Sequence, residues 1–149
     1  MRYVVALVFL LSVSVACDRE EYSNIPYAPV NYPLYDKDAN DLSVQPSCLV
    51  LTTPRNEADR IGYGGLLVVH GPEGEYYAFD LCCPVEARRT AKLEVESSLV
   101  AAKCSQCGAR FDISTASGFP IEGTKYRLTP YQVWTKPGVT GILPYLVSN

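Results

Sequence analysis

Apolar residues along this chain fall into short runs divided by Pro, Gly and polar turns, and no window sustains a capped helical period. Cys48-Leu49-Val50-Leu51-Thr52-Thr53 is a β-rich run stopped by Pro54. Leu66-Leu67-Val68-Val69-His70 is apolar and β-branched. Gly71-Pro72-Glu73-Gly74 supplies a turn, and Glu75-Tyr76-Tyr77-Ala78-Phe79-Asp80 returns as the partner strand of a hairpin. Leu93-Glu94-Val95-Glu96 alternates strictly, Ser97-Ser98 reads as a tight turn, and Leu99 to Lys103 runs on into Cys104 as a second hairpin. Lys125 to Leu128 and Tyr131 to Trp134 read as further strands, and residues 138–149 have room for a closing one. Eleven prolines and ten glycines at strand-like intervals complete the pattern. The expected fold is all-β, a small antiparallel barrel or layered sheets.

The first apolar run is of another kind. Tyr3 to Val13 follows the positive Met1-Arg2 and is too short to span a bilayer, which is the pattern of a signal peptide over 1–16. Small residues at Ser14 and Ala16 suit cleavage before Cys17. Ser14-Val15-Ala16-Cys17 also resembles a bacterial lipobox, with Ser14 where Leu is usual. That resemblance implies lipidation of Cys17 and a membrane anchor at the cell envelope, on the outer membrane or cell surface. Asp18-Arg19-Glu20-Glu21 resembles the surface-export signal of some Bacteroidetes lipoproteins. Residues 17–33, rich in Pro and Tyr, read as a tether, and 34–149 as the folded domain.

Composition narrows the function by exclusion. The 149 residues are 48% hydrophobic and 19% charged, with a formal net charge of −3, enough for one cored domain. The cations are dispersed, Arg88-Arg89 with Lys92 being the nearest to a cluster, so no nucleic-acid face is expected. No motif names a protein partner at the envelope. Export exposes cysteines to oxidation unless a metal holds them.

Candidate chemistry lies in two cysteine loops. The first is Asp80-Leu81-Cys82-Cys83-Pro84-Val85-Glu86; the second is Cys104-Ser105-Gln106-Cys107-Gly108-Ala109-Arg110-Phe111-Asp112. A Cys-x-x-Cys spacing lets two sulfurs from one tight turn reach a single ion, with Gly108 giving the backbone freedom to bend.

The stretch from Gly65 to Asp80 running into Cys83-Pro84, then Cys104 to Asp112, and then Gly118, Pro120, Gly123, Leu128 and Tyr131 resembles a Rieske [2Fe–2S] domain. The resemblance covers most of the domain and implies an all-β fold with two cluster loops and descent from electron carriers. The family pattern is Cys-x-His, a spacer, then Cys-x-x-His. Cys83 and Cys104 fall on its cysteine positions, Val85 on the first histidine and Cys107 on the second. A valine cannot ligate, and the only histidine, His70, lies away from both loops. The two-imidazole centre, whose potential lies several hundred millivolts or so above an all-cysteine cluster, is therefore excluded.

Three readings stay open. Cys83 or Cys82 could pair with Cys104 or Cys107 as a disulfide, without a cofactor. Cys83, Cys104 and Cys107 with a further donor such as Cys82 could hold zinc or an all-thiolate [2Fe–2S] cluster. The thiols could exchange disulfides with a partner. The first is the leading expectation: a non-enzymatic structural or interaction module with linked loops, the alternative being an electron carrier or a structural zinc site. Cys48 reads as a buried small hydrophobe. Gly62-Tyr63-Gly64-Gly65 reads as a turn, not a phosphate loop, because a strand follows it. Asp80 and Asp112 read as turn-stabilising side chains.

Overall fold

The computed structural model describes residues 21–135 and 145–148. Eleven strands and one short helix follow in chain order: β1 (Val30–Pro33), α1 (Asp36–Asp41), β2 (Ser47–Leu51), β3 (Arg60–Ile61), β4 (Leu66–His70), β5 (Tyr76–Asp80), β6 (Leu93–Val95), β7 (Ala101–Cys104), β8 (Arg110–Asp112), β9 (Pro120–Glu122), β10 (Pro130–Thr135) and β11 (Tyr145–Ser148). They build two antiparallel sheets. The larger has the order β2-β4-β5-β10-β11-β1-β3 and the smaller β6-β7-β8-β9. Neither closes into a barrel among the described residues, so the fold is all-β with layered sheets.

The apolar run of β4 shows how the layers pack. Successive side chains on a strand face opposite ways. Leu66 and Val68 enter one core with Val30, Tyr32, Leu49, Leu51 and Ile61, whereas Leu67 and Val69 enter a second with Phe79, Leu93, Ala102 and Phe111. Strands from both edges of the large sheet, β2 and β3, contribute to the first core, so that sheet curls around it. The second core lies between the two sheets. With both faces covered, β4 has no need of polar alternation.

The β4–β5 hairpin has the register His70↔Tyr76 to Leu66↔Asp80. Leu66 therefore sits beside Asp80 at the cysteine end of the molecule and His70 at the other. In the second hairpin the connection is longer than Ser97-Ser98. Leu99 takes φ 58° and its N–H bonds to the Glu96 carbonyl at 2.9 Å, which moves the start of β7 to Ala101. The sheet also begins inside the segment expected as tether. Val30–Pro33 pairs with both β11 and β3, Tyr32 is buried, and Glu21 bridges to Tyr126. Apart from that bridge, residues 125–128 form no strand. Residues 1–16, expected as a signal peptide, and Cys17, expected as the lipidation site, lie outside the described residues.

Candidate metal centre

The smaller sheet is inserted between β5 and β10, and the cysteine loops lie at its junctions. Loop 1, residues 81–92, leads from β5 into β6. Loop 2, residues 105–109, joins β7 to β8. The base of loop 1 is closed by hydrogen bonds from Cys83 N to Ala91 O, 2.8 Å, and from Leu93 N to Leu81 O, 2.9 Å.

Asp80 anchors that base. Its carboxylate is fully buried and accepts four hydrogen bonds, from Tyr63 N (2.7 Å), Gly64 N (2.9 Å), Cys82 N (2.8 Å) and the Tyr131 hydroxyl (2.7 Å). Burial and then the Asp80 charge push the Tyr131 phenol far up, which keeps it a neutral donor. The glycine turn is thus a clamp on the site, and its Tyr63 and Gly64 N–H groups are already spent on a carboxylate. Gly64 packs so closely on loop 1 that a Cβ there would lie 2.5 Å from Cys82 Cβ.

The Sγ atoms of Cys83, Cys104 and Cys107 all lie within 4.8 Å of one another, a group able to hold a metal ion. Cys83 and Cys104 are buried and Cys107 is exposed. The expected cross-link between the loops is not formed. The five described cysteines are free, and the Cys83 and Cys107 sulfurs stand 3.6 Å apart, where a disulfide needs about 2.05 Å. Cys82 does not join them. Its thiol donates to the Arg88 carbonyl at 3.2 Å, because adjacent residues on extended backbone project to opposite sides. Val85 packs half-buried against the core between the sheets.

Backbone N–H groups act on the first cysteine of each loop, but the balance against burial falls in opposite directions. Burial pushes the Cys83 thiol up to about 12, opposed by the backbone N–H groups of Glu86 and Val85. Burial also acts to raise Cys104. There the N–H groups of Cys107 and Gln106, with the neighbouring Cys83 and Cys107 thiols, prevail and bring it below its ordinary value. Of the two buried thiols Cys83 and Cys104, Cys104 is the thiolate-prone one. Cys82 is pushed up to about 12 by burial and then by the Asp80 charge, which suits an inert thiol.

Cys48 is half-buried in β2, its thiol pushed up to about 11 by burial. His70 is held at the far end of β4, with Nδ1 donating to the Leu42 carbonyl (2.8 Å), Nε2 facing Gln45 (2.8 Å) and the ring stacked on Tyr76. Asp112 accepts from Ser114 N (2.8 Å) and the Ser114 hydroxyl (2.6 Å) as a turn residue. Tyr131 is the site-supporting residue that periodicity alone assigned to a strand. No family model, curated protein or solved structure matches this chain.

Proposed function

We propose that this domain is a non-catalytic structural or interaction module whose two loops are joined by a mononuclear metal centre. Cys83, Cys104 and Cys107 are its thiolate donors and zinc is its ion. The observation that carries the reading is the convergence of three sulfurs from two loops within 4.8 Å. The 3.6 Å between Cys83 and Cys107 is close to the roughly 3.8 Å that separates two thiolates on a tetrahedral zinc with bonds of about 2.3 Å. Backbone N–H groups favour the deprotonated form of Cys104, as a bound ligand requires, and oppose the burial that holds Cys83 protonated in the metal-free protein.

A [2Fe–2S] cluster fits this donor set poorly. An all-thiolate cluster needs four cysteines, two on each iron. Val85 offers none, and the Cys82 thiol is turned to the Arg88 carbonyl. Placement at the envelope rests on the sequence of residues 1–17 and the lipidation of Cys17. In that oxidising setting a Cys83–Cys107 disulfide is the second reading, favoured by the same short sulfur–sulfur distance.

Elemental analysis, a visible spectrum and peptide mapping of protein purified without chelator or added reductant test the assignment. One equivalent of zinc, lost in Cys104→Ser, supports it. Iron with sulfide charge-transfer bands overturns it in favour of a cluster. Absence of metal, with a Cys83–Cys107 linked peptide that persists in Cys104→Ser, establishes the second reading.

A further inference from the structure

The two cysteine loops repeat the same backbone. In loop 1 the N–H of Ala87 bonds to the carbonyl of Cys83 at 2.9 Å, and Ala87 takes φ 48°. In loop 2 the N–H of Gly108 bonds to the carbonyl of Cys104 at 2.9 Å, and Gly108 takes φ 77°. Each loop is thus one turn that opens on a cysteine and closes four residues later on a left-handed residue. Glycine adopts that conformation freely, whereas alanine does so at a cost of about 1–2 kcal/mol. Its use at Ala87 shows that the loop geometry outweighs the local preference. The N–H groups directed at the leading sulfur also come from equivalent places, Val85 and Glu86 in one loop and Gln106 and Cys107 in the other.

Laying Cys83-Pro84-Val85-Glu86-Ala87 on Cys104-Ser105-Gln106-Cys107-Gly108 pairs Val85 with Gln106 and Glu86 with Cys107. The position that answers the third sulfur is therefore occupied by a carboxylate. Glu86 is also tied to loop 2. Arg88 Nη2 bonds to Glu86 Oε2 at 2.6 Å and to Gln106 Oε1 at 2.9 Å, so one guanidinium links Glu86 to the neighbour of Cys107. Carboxylate oxygen is an ordinary zinc donor, and a ligating carboxylate is commonly hydrogen-bonded in turn.

We infer that Glu86 is the fourth donor of the metal centre, completing a site of three thiolates and one carboxylate with Arg88 as its supporting hydrogen-bond donor. The inference rests on the metal reading above and deepens it. The Glu86 carboxylate lies outside the group of ligand atoms within 4.8 Å of one another, so its side chain must turn inward on binding, giving one oxygen to the ion and keeping the other for Arg88. The site is then closed by protein groups on all four sides, the arrangement of a structural and not a catalytic zinc.

Cobalt(II) and zinc titration of the whole chain under reducing conditions tests it, with Glu86→Gln, Glu86→Cys and Val85→Cys as variants. Glu86→Gln is expected to weaken zinc at least tenfold. Glu86→Cys is expected to keep a tight site and to strengthen the sulfur-to-cobalt charge-transfer band by about one third, as a fourth thiolate joins three. Val85→Cys should change neither. Unchanged affinity in Glu86→Gln, or a stronger band in Val85→Cys and not in Glu86→Cys, overturns the inference while the three-thiolate site stands. Failure of the parent chain to bind either ion removes the metal reading itself, so the two failures are told apart.

Discussion

Replacing Asp80 by Asn isolates the clamp that sets loop 1. Asp80 Oδ2 accepts from Tyr63 N and Tyr131, and Oδ1 from Gly64 N and Cys82 N. An amide has one oxygen and one NH2. Its cheaper orientation puts the NH2 at the Oδ2 place, where the Tyr131 hydroxyl can turn to accept but the Tyr63 N–H is left facing another donor. One buried unsatisfied N–H costs about 1–3 kcal/mol, and the two bonds kept to Gly64 and Cys82 lose their charge assistance, about 1 kcal/mol in all. The expected loss is about 3 kcal/mol, or roughly 10 °C in melting temperature for a domain of this size. Urea unfolding followed by circular dichroism measures the first quantity and a thermal scan the second. Hydrogen exchange at Tyr63, Gly64 and Cys82 should accelerate ahead of the rest of β5. A loss below about 1 kcal/mol, or exchange unchanged at these three amides, would show that Asp80 does not hold the loop.

Two further outcomes follow from the same geometry. Cys82 and Cys83 stay protonated up to about 12 and Cys48 up to about 11, against an ordinary thiol value of 9.0. A raised folded value means that their stabilising share is complete below pH 9 and is lost as pH climbs towards 12. Urea midpoints of reduced, metal-free protein should therefore fall more steeply from pH 9 to 11 than those of Cys48→Ala/Cys82→Ala. Equal slopes would contradict the burial of these thiols. Gly64→Ala should be strongly destabilising, by about 2–4 kcal/mol, since its Cβ would meet Cys82 backbone at 2.6 Å. Gly108→Ala, with nothing within 4 Å but φ 77°, should cost about 1–2 kcal/mol. Similar losses for the pair in denaturant titrations would refute the contact argument.

The parts of the fold that sequence reveals are those where turn chemistry and side-chain pattern agree. The β4–β5 hairpin carries both an apolar run and a Gly-Pro-Glu-Gly turn, and β2 ends ahead of a proline. Elements set by distant contacts are hidden. The helix α1 has no apolar period. It is held by Asp38, which is buried, accepts from Tyr32 and Tyr35 N, and pairs with Arg55. The strand β1 lies in a segment of Tyr and Pro that reads as tether until its partners β3 and β11 are known. At the site, Cys83, Cys104 and Cys107 are legible from spacing and converge. The placement of Cys82 is decided by the direction of its Cα–Cβ bond, and the role proposed for Glu86 depends on a left-handed residue, Ala87, whose type gives no hint of its backbone angle.

The insertion of the smaller sheet between β5 and β10 bears on how such a site can be moved or acquired. Those strands pair directly, Phe79 opposite Pro130 and Ala78 opposite Tyr131, and Asp80 N bonds to Thr129 O at 2.9 Å. Everything from loop 1 to Thr129, all candidate ligands included, leaves and rejoins the frame at adjacent backbone positions. Topologically it is a cassette that a two-residue turn could replace. Beside the polar links through Asp80 and Glu21, apolar surface binds the cassette to its host: Leu67, Val69 and Phe79 would be stripped of cover by its removal. The site is thus portable as a length of chain, but only onto a sheet that offers it a greasy face.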